Sequence, residues 1–337
     1  MYQIIVLLLT LMLLLNGCAT TQQKTVEIDH TNSVVDANIL VIAPQERVIG
    51  TVHEINTDQS TLNSIQGQTG LFGVMVAGVF DAVRNANAAS RMNKRMEPIN
   101  NITSDLNFKK DLISKLQEKL IFTSPERIRI IEKPEYQADL IEMIKQSEGP
   151  TIVIQSSYGF DANYRILVMD NHISLWLDKS SSPLYKTTVS YYSKPITPFI
   201  IHTTPSLGDA LLLRAPDELL SDVYTTNINL WASKRASIYR KHYTEGIKES
   251  VNMISEALLN KYDKQSLTNK PISTFVDYHG KPYISWGRRF DHVTVGRVIK
   301  EQDNRQWLLS ENGDFSTYYK GPLKKIAKKK SYGRYQY

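Results

Sequence analysis

One cysteine, seven histidines and a run of lysines hold most of the reactive chemistry in this chain of 337 residues. The cysteine, Cys18, stands just after Ile4 to Leu15, which is apolar except for Thr10. An apolar core of about twelve residues is too short for a transmembrane helix, which needs ~20 residues to cross ~30 Å of hydrocarbon. It fits the central region of a signal peptide that is later removed. The histidines (His30, His53, His172, His202, His242, His279, His292) are scattered, and none falls at HExxH or HxH spacing. GxSxG, P-loop and dinucleotide-binding fingerprints are absent. Asp277 with His279, and Asp291 with His292, place carboxylates near imidazoles. Adjacent residues of a strand point to opposite faces, so Asp291 could not orient His292 directly; Asp277 and His279 share a face only if that segment is extended. A solvated turn suits both pairs, and neither a metal nor a cofactor is expected. The lysines gather at the end of the chain. Lys320, Lys324, Lys325, Lys328, Lys329, Lys330 and Arg334 follow Phe315 with no acidic residue among them. The net charge is +6, so the remainder of the chain is close to neutral. Such a tail could bind phosphate-bearing headgroups, lipopolysaccharide or acidic cell-wall polymers through screened electrostatics, or it could serve only as a solvated end.

Leu15-Asn16-Gly17-Cys18 resembles the bacterial lipobox, in which a leucine and two small residues precede the modified cysteine. The resemblance implies a diacylated Cys18 thiol, cleavage of residues 1–17 and acylation of the new amino group. Several acyl chains, at roughly 0.8 kcal/mol per buried methylene, anchor far more firmly than one myristoyl chain. The sequence departs from the motif in two ways: Met1-Tyr2-Gln3 carries no Lys or Arg, and Asn16 is bulkier than usual. An ordinary secretory signal beside a chance cysteine is the alternative. Ala19 after the cysteine resembles the version sorted to the Gram-negative outer membrane. Once Cys18 carries lipid no thiol remains, which excludes disulfides, zinc-cysteine sites and cysteine nucleophiles.

Residues 18–36 read as a flexible polar tether. The main domain is expected over 37–263. It opens with a strand at Ile39 to Ile42, and Arg47 to His53 could supply another around Gly50. In residues 70–90, Phe72, Val76, Val79, Phe80 and Val83 share one helical face. Small residues flank it in two stripes, Gly78, Ala82 and Ala86, and Gly70, Gly73 and Ala77, where another helix could approach closely. Asp81 interrupts the apolar part, so a packed or interfacial helix is expected rather than a span. Pro98 breaks the pattern, and Ser104 is the expected N-cap of a helix carrying Phe108, Leu112, Leu116 and Leu120 on one stripe. Ile128 to Ile131 reads as a strand and Tyr136 to Gln146 as a helix. Four strands are expected at Thr151–Ser156, Tyr164–Met169, Ile173–Leu177 and Tyr185–Tyr192, with Asp170-Asn171 as a turn. Glu218 to Lys261 is helical, with Tyr243, Ile247, Val251, Ile254 and Leu258 inward. Residues 272–319 suit a small β unit, a sandwich or SH3-like barrel, turning at Asp303-Asn304 and Asn312-Gly313; the basic tail fills 320–337.

This order predicts an α+β fold: an antiparallel or mixed sheet with helices mainly on one face, plus a small C-terminal β unit. Over residues 37–195, with Ala138-Asp139 in the second helix, it resembles the periplasmic modules of curli-secretion (CsgG) type lipoproteins and of the amino-terminal domain of TolB. The segment from Gly70 to Pro98 and its following helix resemble a group of uncharacterised lipoproteins, which implies no activity. The expected function is that of a non-enzymatic envelope lipoprotein. It would be held to the outer membrane through Cys18, facing the periplasm, and would bind other envelope proteins as an accessory or scaffold factor. A polyanion-binding module and an envelope hydrolase are the alternatives, and the envelope address disfavours nucleic acid.

Overall fold

The computed structural model describes residues 34–43, 45–48, 50, 94–131, 137–161, 164–177, 182–197, 216–259, 269–277 and 292–319. Among the described residues there are nine strands: β1 (Asn38–Ile42), β2 (Ile128–Ile130), β3 (Thr151–Phe160), β4 (Leu167–Trp176), β5 (Tyr185–Tyr192), β6 (Ile272–Asp277), β7 (His292–Gln302), β8 (Arg305–Leu309) and β9 (Phe315–Tyr319). They form one mixed sheet in the order β2-β1-β3-β4-β5-β9-β8-β7-β6. The β1–β2, β1–β3 and β5–β9 pairs are parallel and the others antiparallel. The principal helices are α1 (Phe108–Lys119), α2 (Gln137–Gln146) and α3 (Pro216–Leu258). The fold is therefore α+β, as the order of elements predicts.

The first three strands explain where the helices lie. The chain crosses from β1 to β2 through α1, then back over β1 to β3 through α2. Parallel crossovers are right-handed, so two that run in opposite directions place their helices on opposite faces. Phe108, Leu112 and Leu116 of α1 accordingly pack with Ile39, Val41, Ile152 and Ile154. Leu140 and Ile144 of α2 pack with Leu40, Ile42, Val153 and Trp176 on the other side. The helix α3 joins α1, and its buried Tyr243, Ile247, Val251, Ile254 and Leu258 form the stripe expected of it. Its approach to the sheet is close at Gly246, where a Cβ would fall 2.7 Å from Met169 Sδ and 2.9 Å from Tyr191 Cε1. At Ser233 to Ala236 the helix is broken, because Lys234, Arg235 and Ala236 have φ of 51°, 56° and 56°.

Several local readings change. Asp170-Asn171 is not a turn: β4 runs straight through it, pairing Asp170 with Ser157 and Ser190, and Asn171 with Ser156 and Val189. Asn171 is buried, accepting from the Ser156 hydroxyl at 2.7 Å and donating to the Val189 carbonyl at 3.2 Å, so the strand satisfies its amide as a turn would. The cap of α1 is Asn107, whose side chain accepts from the Lys110 N–H, and not Ser104. Pro98 lies within helical residues 94–100, and Arg47 and Val48 are not in a strand. The C-terminal β unit is, among the described residues, an open meander of β6, β7, β8 and β9. It joins β5 through β9 and continues the sheet instead of closing into a barrel or sandwich. Both of its turns are as expected, with Asp303, Asn304 and Gly313 at positive φ.

Candidate functional site

Alternation along the continuous β4 sorts its side chains. Met169, Asn171, Ile173 and Leu175 face the main core with α1 and α3. Val168, Asp170, His172, Ser174 and Trp176 therefore face the opposite side. On that side Trp176 belongs to the apolar cluster under α2, and Val168 belongs to a second cluster with Ile166, Tyr192, Val298, Leu308 and Tyr318. Between the two lies a polar trough. Ser157, Asp170, Ser190 and Ser316 stand in register across four strands, and Gln155, His172 and Thr188 form the neighbouring row. Asp314 closes that row by accepting from the Thr188 N–H at 2.9 Å. His172 Nδ1 lies 3.0 Å from the Thr188 hydroxyl. Burial pulls the imidazole below its ordinary pKa, against the upward pull of the Asp170 and Asp314 carboxylates. The ring is thus neutral at neutral pH.

On the core side a second polar cluster joins the C-terminal meander to the main sheet. Arg305, at the start of β8, is 4% exposed. Its Nε donates to Glu245 Oε1 at 2.5 Å, Nη1 to the Tyr192 carbonyl at 2.8 Å and Nη2 to the Tyr191 hydroxyl at 3.0 Å. Glu245 also accepts from His242 Nδ1 at 3.0 Å. Burial alone would raise the Glu245 carboxyl, but the hydrogen bonds from His242 and Arg305 prevail and hold it at about 2. Burial pushes the Tyr191 hydroxyl upward and keeps it protonated. Two residues further along β8, Trp307 Nε1 donates to Glu249 Oε2 at 2.9 Å. Charge-assisted bonds of this kind fix geometry, and every group here is engaged in holding β8 to α3.

A groove of about 750 Å³ opens at the β2 edge of the sheet. Leu40 and Ile131 are among its buried lining, Met143, Gln146, Ser147 and Glu148 at the end of α2 line it too, and Arg127 and Arg129 flank the strand. Arg127 donates to the Asp36 carbonyl, while Arg129, Ile130 and Met143 are exposed. Among the described strands β2 pairs only with β1, so its outer backbone groups face away from the sheet.

The residues singled out from sequence fall elsewhere. Leu15, Asn16, Gly17 and Cys18, the small-residue stripes from Gly70 to Ala86, and Lys320 to Arg334 lie outside the described residues. So do His30, His53, His202, His279 and Asp291. Asp277 is instead the register partner of His292, across β6 and β7. The trough was missed because Asp170-Asn171 looks like a turn; the signal that finds it is the alternation from Val168 to Trp176, which passes through the dipeptide unbroken. The Arg305 cluster has no such signal, since Arg305 lies 60 residues from Glu245 and 114 from Tyr191 in sequence. Among the described residues no group of three His, Cys, Asp or Glu could hold a metal, and no helix is long and apolar enough to cross a membrane. No protein family, curated protein or solved structure matches the chain.

Proposed function

We propose that this chain is a lipid-anchored, non-enzymatic accessory factor of the bacterial envelope, held to the outer membrane through Cys18 and facing the periplasm. It binds a partner protein by adding a partner strand to β2. The observation that carries this reading is the open β2 edge above its groove. Edges with unpaired backbone groups accept extended peptides, and flanking pockets select the side chains. Arg129 favours an acidic residue on the incoming strand, while Leu40, Ile131 and Met143 favour apolar ones. Asn38, which opens β1, lines the same groove, so the chain enters the sheet where the partner would dock. Val34 is already buried in the core, so the packed domain begins before the end of the tether expected over residues 18–36.

A hydrolase would need His172 oriented by a carboxylate beside an activated hydroxyl. Its Nδ1 instead meets the Thr188 hydroxyl, and Asp170 lies two residues along the same strand, which favours a binding role. The basic tail supports the alternative of polyanion binding through Lys320 to Arg334. The test of strand addition is in-cell photocrosslinking from position 129 beside a control at the exposed Glu311. One discrete adduct from position 129, lost on Ile130→Pro, is the expected result. Equal adducts at both positions, or none at 129, would overturn the reading.

A further inference from the structure

On the outer face Ser157 stands directly opposite Asp170, and Gln155 directly opposite His172. Such cross-strand neighbours lie about 5 Å apart, and successive residues on one face of a strand about 7 Å. The four side chains therefore form one compact block. Gln155 is 5% exposed and Ser157 2%. Gln155 Oε1, Ser157 Oγ and Asp170 Oδ1 are buried atoms with no hydrogen-bond partner. Buried polar atoms of native proteins are nearly always paired, and three unpaired oxygens in one block describe the partner that would satisfy them. Two of the three can only accept, and the third is a hydroxyl that can do so. The partner must bring several N–H or O–H donors from one small centre.

Charge narrows the choice. Asp170 and Asp314 are carboxylates with no ion pair among the described residues, and the neutral His172 between them does not compensate them. Their side chains and that of His172 do not converge into a metal site. A guanidinium carries its donors in a planar fork that suits bidentate pairing, whereas an ammonium presents three donors around one nitrogen. The trough is walled by Val153 and Trp176 on one side and by Val168 and Tyr192 on the other, which suits an alkyl stem.

We propose that the Gln155–Ser157–Asp170 block is a recognition site for a primary ammonium group on an alkyl chain. The group is supplied by a diffusible alkyl amine or by a lysine of this chain's own basic segment. That segment starts directly after β9, whose Ser316 stands in the same row. Its eleven positions from Lys320 to Lys330 span up to ~36 Å when extended, enough to return over the five residues of β9. This site is independent of strand addition at β2, and either can fail alone.

The experiment uses the full chain in detergent, 1,5-diaminopentane as probe, calorimetry for binding and imidazole NMR for the His172 titration. A companion variant carries glutamine at Lys320, Lys324, Lys325, Lys328, Lys329 and Lys330. If the amine is diffusible, both proteins bind the probe equally, Asp170→Asn weakens binding at least tenfold, and the bound probe lowers the His172 midpoint. If the chain supplies its own lysine, the glutamine variant binds the probe at least tenfold more tightly than the wild type. Its His172 midpoint without probe then lies above that of the wild type, because a nearby cation has been removed. Ser157→Ala deletes one unpaired hydroxyl, weakens binding several-fold, and serves if Asp170→Asn does not fold. Absence of probe binding in both proteins overturns the proposal, as does binding that neither substitution in the block alters; the three oxygens would then be paired by water alone.

Discussion

Arg305 shows how much one side chain can decide. It leaves the Asp303-Asn304 turn, enters the core side of the sheet and offers donors to a carboxylate, a backbone carbonyl and a tyrosine hydroxyl on two other elements. Its guanidinium also lies 4.5 Å from the centre of the Tyr191 ring. Arg305→Met keeps the stem and removes the fork, so Glu245 retains only His242 and the Tyr192 carbonyl loses a donor. Breaking a buried pair costs ~3–5 kcal/mol, and partial solvation of Glu245 reduces this. A loss of about 2 kcal/mol in urea unfolding is expected. Glu245 adds a pH dependence. Its folded pKa, about 2, lies below the ordinary 4.5, so the unfolded chain takes up the proton first. Its stabilisation is complete above pH 4.5 and drains away as pH falls toward 2. Glu245→Gln should flatten that part of the stability curve and leave the slope above pH 6 unchanged, a comparison open to thermal melts across pH.

Among the elements, α3 carries the clearest strain. Three consecutive residues with side chains hold left-handed backbone angles at its break, and each such residue costs about 1 kcal/mol relative to the right-handed form. Glycine pays no such penalty, although it loses more freedom on folding. The exposed Arg235 therefore offers a gain: Arg235→Gly should stabilise by about 0.5–1 kcal/mol. Lys248→Gly, at an exposed position within the regular part of the same helix, should cost about 1 kcal/mol. If both substitutions destabilise equally in denaturant titrations, the break is absent in solution. The sequence does not announce this break, for Ser-Lys-Arg-Ala contains neither proline nor glycine and sits inside a periodic apolar pattern. Where periodicity and turn chemistry agree, the elements are legible: β1, α3 and β5 lie close to their expected bounds, and both turns of the C-terminal unit fall where expected. Where they conflict, as at Asp170-Asn171, pairing on both sides of the strand wins. The polar trough exists because β4 is ten residues long and uninterrupted. The continuity of the sheet was not legible either, because the β5–β9 pairing joins segments about 126 residues apart, a separation that no local pattern encodes.

At the scale of the whole molecule the two attachments proposed for this chain, lipid on Cys18 and the basic tail, differ in physical kind. Lipid on Cys18 would hold through buried methylenes, an interaction that salt does not weaken. The seven cations after Phe315 would hold through charge, which a Debye length of ~10 Å at 0.1 M salt and ~3 Å at 1 M progressively screens. Fractionation therefore separates them. The wild type should stay with membranes in both 0.1 M and 1 M salt and should incorporate labelled palmitate. Cys18→Ser should incorporate none. If the tail binds envelope polyanions, Cys18→Ser should remain partly with membranes at 0.1 M salt and leave them at 1 M, and removal of residues 320–337 should abolish that residue of binding. If the tail is only a solvated end, Cys18→Ser should be soluble at both salt concentrations and truncation should change nothing. A wild type stripped from membranes by 1 M salt would remove the anchor itself, and with it the premise that the β2 groove works beside a membrane.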